Sequence, residues 1–273
     1  MSASETSRRL RLAFVGWGAI ATRVAELLTE RQAAIDIVAI AVRDAAKARP
    51  DVPAGARLIS SPSELAGLGL DMVIEAAGRA SVLVWAEAAL RHSRRFVVSS
   101  TSAFCDDGLL ARLVEITRET GSQIVVPPGA LGGMDALTAA STLPLDTVVH
   151  SIVKPPLAWR GTGAEALLDL GALETRAVFF SGTAREAADR FPQNANVAVI
   201  SALAGIGLDR TRVELVADPA VSRNCHRLSA SGAFGRMEML FENEPLKTNP
   251  KSSEMTALNL VRLVENQLAP LAH

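Results

Sequence analysis

Five short aliphatic runs punctuate the first half of the chain: "LAFVG" from residue 12, "DIVAIAV" from 36, "DMVIEAAG" from 71, "RFVVSS" from 95 and "QIVVPPG" from 123. Amphipathic stretches over 19–30, 80–92 and 107–120 lie between them. Strands apolar on both faces must be covered on both sides, and helices alternating with them supply that cover, so the pattern specifies a parallel sheet of βαβ units. The loop "SSPSEL" offers Ser61 or Ser63 as cap of a short helix, and "AKARPDVPAGARLISS" reads as a connection with a minor strand. This half is α/β: a doubly wound, parallel Rossmann sheet.

The second half has another texture. "DTVVHSIVKPP", "TRVELVADP", "CHRLSASG" and "FGRMEMLFEN" are longer, partly alternating runs, which predict a mixed, largely antiparallel sheet in an α+β domain. Helices are expected over 164–172, 184–189 and "QNANVAVISALAGIG", and a last one over 255–268 should return to the first domain. The expected division is 1–134 for a dinucleotide-binding domain, 135–247 for a substrate, catalytic and dimerisation domain, and 248–273 for the C-terminal segment.

Composition limits the partners. With 28 basic and 29 acidic residues and no basic block, the chain lacks the electrostatic footprint of a nucleic-acid binder, and a small molecule is the expected partner. No run approaches the roughly 20 apolar residues of a membrane helix, and the polar start "MSASETSRR" does not read as a signal peptide. Cys105 and Cys225 stand 120 positions apart without CxxC spacing, which points to neither a metal site nor a disulfide framework, so a cytoplasmic location is expected. A homodimer is the default assembly, since C₂ dimers are the commonest oligomers.

In "LRLAFVGWGAIATRVAELL" a strand runs into Gly16-Trp17-Gly18 and a helix follows at once. In a dinucleotide fold the first glycine makes the tight turn, the second lets a pyrophosphate reach the backbone, and a small third residue, here Ala21, lets helix and strand pack. The phosphates would sit on the first amides of that helix, at Ala19 and Ile20. NAD or NADP is the expected cofactor: Arg43, ending the second strand, suits a 2′-phosphate, while Asp44 leaves the ribose of NAD open. Beyond the other strand ends lie Ala77 and Gly78, the hydroxyls of Ser99 to Ser102, and Gly129-Ala130-Leu131-Gly132-Gly133, whose amides could cradle a carboxylate or the nicotinamide amide.

A nicotinamide-dependent dehydrogenase needs a group that exchanges a proton near neutral pH, and histidine has that range. Of four histidines, His92 ends a polar helix, His273 is terminal, His150 sits inside an apolar strand, and His226 shares one strand face with Asn224 and Leu228. Catalytic and structural readings of His226 both stand on the residues alone. Cys225, its neighbour, points to the opposite face, which disfavours a Cys-His hydrolase. Glu214 or Asp218 could orient His226, although Asp218-Pro219 is equally a turn.

"PPGALGGMDAL", "FPQNANVA", "TRVELVADP", "NCHRLSASGAFG" and "NPKSS", in this order along nearly the whole chain, resemble the L-aspartate dehydrogenases of the NadX type. The resemblance implies NAD(P)-dependent oxidation of L-aspartate to iminoaspartate, which is hydrolysed to oxaloacetate and ammonia or used in quinolinate and hence NAD biosynthesis. It makes His226 the active-site residue and matches Ala130 and Asn196 to cofactor contacts, with Asn194 close by. The substrate carboxylates are then expected on Gly129, Leu131 and Gly132 and on "TNPKSS", represented by Ser252, with Asn224 beside the histidine. No metal is expected. A related Rossmann reductase, similar to dihydrodipicolinate reductase or homoserine dehydrogenase, and a non-catalytic cofactor-binding regulator are the alternative readings.

Overall fold

The computed structural model describes residues 9–47, 49 and 51–272. The chain divides into two compact units, one ending at Pro127 and resuming at Ala257, the other spanning Pro128–Thr256. The division falls earlier than the expected residue 134, so the glycine-rich loop 128–133 goes with the second unit. Residues 248–256 go with it too, and only the chain from Ala257 onward returns to the first.

In the first unit, β1 (Leu10–Val15), β2 (Ile35–Ala41), β3 (Arg57–Ile59), β4 (Leu70–Glu75), β5 (Ser93–Val98) and β6 (Gln123–Val125) form a six-stranded sheet in the order β3-β2-β1-β4-β5-β6. Every pairing is parallel. The order reverses between β1 and β4, which opens the crevice where doubly wound sheets bind ligands. Helices α1 (Ala19–Glu30), α2 (Arg79–His92) and α3 (Asp107–Thr120) are the crossovers. Asp106 caps α3 by accepting from Leu109 N–H, and Gly121, left-handed at φ 70°, ends it. β4 is buried along its whole length, Asp71 and Glu75 included, as a central parallel strand covered on both faces is.

The second unit contains α4 (Met134–Ala140), β7 (Leu145–Lys154), β8 (Ala177–Thr183), α5 (Ala184–Arg190), α6 (Ala195–Ala204), β9 (Arg212–Ala217), β10 (Asn224–Gly232) and β11 (Gly235–Asn243). Its sheet runs β11-β10-β7-β9-β8; β7 and β9 are parallel and the other pairs antiparallel. A small hairpin, β12 (Pro245–Leu246) with β13 (Asn249–Ser253), comes next. Helix α7 (Glu254–Glu265) then places Ala257, Leu260, Val261 and Val264 in the core of the first unit, against Leu12, Val24 and Leu28.

One expectation fails here, and one strand was not expected. The stretch 164–172 is not an α-helix: a single 3₁₀ turn over Gly163–Ala166 gives way to a loop in which the Asp169 carboxylate accepts from Gly171 and Ala172 N–H. A side chain that takes backbone donors this way competes with the helix. β8 carries no clear alternation in "AVFFSGT" and escapes the sequence pattern; it is an edge strand whose register on β9 shifts between Val178 and Phe180. Among the described residues, no helix is long and apolar enough to cross a membrane.

Candidate functional site

The crevice of the first unit is built by the turns after β1 and β4. Gly16 takes φ 92°, and a Cβ there would stand 2.6 Å from Ala77 Cβ and 2.9 Å from Ala76 O, so only glycine fits between the two strand ends. Gly18, the N-cap of α1, is the opposite case: a Cβ would meet nothing within 4 Å. That open backbone, with the first amides of α1 at Ala19 and Ile20 behind it, fits the pyrophosphate of a dinucleotide. No acidic side chain stands in the first turn of α1 to compete with an anion.

The adjoining cavity, about 590 Å³, is lined by the Gly16–Gly18 turn, Ala77, Trp85 and two arginines, Arg43 and Arg49. The Arg49 Nε is buried without a hydrogen-bond partner among the described residues. Asp44 is committed elsewhere, its Oδ1 accepting from Ala46 N–H at 3.0 Å, and does not line the cavity. These residues fit a nicotinamide dinucleotide with a cationic rather than acidic ribose end.

Beyond β4 the structure supplies a residue that sequence reasoning missed. Glu75 is fully buried, and its Oε1 accepts from Ala77 N–H (2.7 Å), Gly78 N–H (2.9 Å), Ser81 Oγ–H (2.8 Å) and Ser100 Oγ–H (2.9 Å), while Oε2 accepts from Ser100 N–H (2.9 Å). One carboxylate thus ties the ends of β4 and β5 together. It also engages the Ala77 and Gly78 amides and the Ser100 hydroxyl, which leaves those donors to the protein. What remains of the expectation there is room, since Gly78, at φ 115°, has nothing within 4 Å of a built Cβ. The signal was an acid at the end of the apolar run Met72-Val73-Ile74.

In the second unit the register of β10 on β7 assembles the other candidate residues. His226 pairs with Ile152, so His150 and Lys154, two residues to either side on β7, share its face. Cys225 pairs with Val153 on the other face, packed with Val216 and Val221, with its thiol pushed up first by burial. Its seclusion from His226 removes the thiol nucleophile reading.

His226 Nδ1 lies 3.1 Å from His150 Nε2, and His150 Nδ1 lies 2.9 Å from Ser201 Oγ on α6. All three side chains are buried. Burial holds His150 at about 4, below its usual 6.5. Burial, then His150, then Lys154 hold His226 well below the usual imidazole range. Lys154 is itself lowered by burial to about 8; its ammonium stands 4.6 Å from the Trp159 ring centroid and donates to Asn194 Oδ1 at 2.6 Å. The Asn194 amide nitrogen is buried and has no hydrogen-bond partner among the described residues. An ammonium and an unpaired amide donor on the face of a neutral imidazole suit an anionic group with a proton to give up.

Neither Glu214 nor Asp218 orients His226: Glu214 accepts from Ser151 Oγ–H at 2.8 Å, and Asp218 accepts from Ala220 N–H in its turn. The loop 128–133 is shaped by packing. A Cβ on Gly129 would stand 2.9 Å from Ile200 Cδ1 and one on Gly132 3.1 Å from Phe241, while Asn243 Nδ2 donates to Ala130 O at 2.9 Å. Leu131 is fully buried and its N–H bonds Pro128 O at 3.0 Å, so that amide serves the loop rather than a ligand. Asn196 is exposed in the first turn of α6, Asn224 pairs with Asn243 across β10 and β11, and the Ser252 hydroxyl accepts from Asn249 Nδ2 at 3.1 Å in the β12–β13 hairpin.

The profile of the aspartate dehydrogenase C-terminal domain matches residues 135–267, and that of the homoserine dehydrogenase NAD-binding domain matches 16–127. An L-aspartate dehydrogenase of Brucella anthropi is 58% identical over 269 residues, 98% of each chain. One of Cupriavidus necator is 39% identical over 94% of this chain and 97% of its own. The crystal structure of an aspartate dehydrogenase from Thermotoga maritima superposes with a TM-score of 0.76 at 26% identity, covering 97% of this chain and all of that one.

Proposed function

The chain belongs to the L-aspartate dehydrogenase family, and from that premise we propose that it oxidises L-aspartate to iminoaspartate with NAD or NADP, using His226 as the base. The observation that carries this reading is a neutral imidazole whose Nε2 has no partner among the described residues, sharing a strand face with Lys154, which itself donates to Asn194. Lys154 and Asn194 hold a substrate carboxylate, in place of the glycine-loop amides first expected there. The nicotinamide supplies the hydride acceptor. As hydride leaves the α-carbon with its bonding pair, His226 Nε2 takes one proton from the substrate ammonium, leaving a C=N product for water to hydrolyse.

The product is released to oxaloacetate and ammonia or to quinolinate synthesis, in the cytoplasm, and the protein works as a homodimer. A C₂ dimer through the outer face of the second sheet is supported by its half-exposed Leu240, on the rim of a shallow cavity of about 410 Å³. The test of the activity is a panel of amino acids offered with NAD and with NADP, followed by the absorbance of reduced nicotinamide. Aspartate should be the preferred substrate; turnover of another amino acid with aspartate inert would contradict the reading.

A further inference from the structure

The hydrogen bonds behind His226 have a direction. Ser201 Oγ–H donates to Ala198 O at 3.0 Å within α6. A hydroxyl carries one hydrogen and a carbonyl can only accept, so with that hydrogen given to Ala198 O, Ser201 Oγ acts as acceptor toward His150, 2.9 Å away, and His150 Nδ1 bears the proton. A neutral imidazole has one N–H, which leaves His150 Nε2 as a lone pair facing His226 Nδ1 at 3.1 Å. His226 Nδ1 must then carry the hydrogen, and its Nε2 is left unprotonated. Burial supports the neutrality of both rings, since the interior disfavours imidazolium and holds His150 at about 4.

We infer that Ser201 and His150 are positioning residues that fix His226 in the Nδ1–H tautomer, so that Nε2 always meets the substrate as a proton acceptor. The inference rests on the proposed role of His226 as base but makes a separate claim about tautomer. Among triad enzymes a carboxylate does this work; here a second histidine does so without adding a negative charge beside the base. The alternative is the same three links reversed, with Ser201 donating to His150 and His226 presenting Nε2–H. That arrangement gives up the bond to Ala198 O and presents an acid where the oxidation needs a base.

The test is long-range ¹H–¹⁵N correlation of the histidine rings in the whole, unliganded protein near neutral pH, with His226→Ala used to assign the signals. The expected result is Nδ1–H with bare Nε2 for both His150 and His226. An Nε2–H signal on His226, or an imidazolium, overturns the inference, and this wild-type spectrum decides even if every variant misfolds. Ser201→Ala should give a mixed His226 tautomer and roughly tenfold lower kcat with KM for aspartate nearly unchanged. His150→Phe should cost roughly 10²-fold in kcat, and His150→Gln, whose amide oxygen can again accept from Nδ1–H, should recover most of it. A His150→Phe protein with full turnover overturns the inference as well. The expected tautomer in a protein inert toward aspartate would leave the relay standing and remove the substrate; brisk aspartate oxidation with Nε2–H on His226 would do the reverse.

Discussion

At the scale of single residues, the second unit turns on burial of bases. His226 is held below the usual imidazole range by burial, by His150 and by Lys154, so it stays neutral at pH values where a free imidazole is already protonated. The acid limb of kcat/KM, which reports the free enzyme, is therefore expected below 6.5 rather than at the ordinary imidazole value that composition suggests. A limb at or above 6.5 that disappears in His226→Ala would contradict the burial argument. Lys154→Met keeps a long side chain at this position and removes the ammonium that stands over Trp159. It should raise KM for aspartate roughly 10–100-fold, the worth of a charged hydrogen bond, and leave cofactor titration alone. Cofactor binding can be followed by the fluorescence of Trp17 and Trp85, which line the crevice of the first unit. Strand alternation put His226 on one face with Asn224 and Leu228 but left its catalytic and structural readings both open, and the family resemblance singled it out. Lys154 and His150 were not, because an isolated cation or histidine within "VVHSIVK" looks like a misplaced polar residue until register sets it beside a partner on another strand.

Elements show which glycines serve the fold and which serve a ligand. Gly16→Ala forces a Cβ against Ala77 at a left-handed φ and should cost about 3 kcal/mol of stability, measured by denaturant unfolding. Gly18→Val meets open space, so it should fold normally and lose at least tenfold in cofactor affinity, about 1.4 kcal/mol. Equal damage from both substitutions would mean that the turn is only structural. At the far end of the crevice, Arg43→Ala and Arg49→Ala should each weaken NADP more than NAD, because only NADP carries the 2′-phosphate that guanidinium groups pair with. The first unit was readable almost strand by strand, since buried parallel strands and amphipathic crossovers leave separate periodicities in the sequence. The second was readable only where strands alternate: β7, β9, β10 and β11 show, whereas edge strand β8 is fixed by a partner up to forty residues on and the β12–β13 hairpin is too short to leave a period. Capping and turn chemistry at Asp169 overrode the helical pattern over 164–172.

For the whole molecule, the buried histidines link stability to pH. His150 titrates near 4 when folded and near 6.5 when unfolded, so between these values the unfolded chain binds the extra proton. The stabilisation is complete above 6.5 and is lost as pH falls toward 4, a difference of roughly 3 kcal/mol from this one ring. Urea unfolding across that window should be flatter for His150→Phe than for the wild type; parallel curves would contradict the linkage. Sedimentation should give twice the mass of one chain, shifted toward one chain by Leu240→Glu, and a wild-type monomer would remove the proposed dimer. The cofactor turn belongs to one unit and His226 to the other, so binding and chemistry should be separable. The most direct measurement is a rapid-mixing comparison of nicotinamide reduction by L-aspartate in the wild type and in His226→Ala, with cofactor affinity of both proteins taken from tryptophan fluorescence. Unchanged cofactor affinity with a hydride-transfer rate lower by roughly 10²–10⁴-fold is the predicted result; a folded His226→Ala protein that reduces the cofactor at near the wild-type rate would contradict the assignment of His226 as the base.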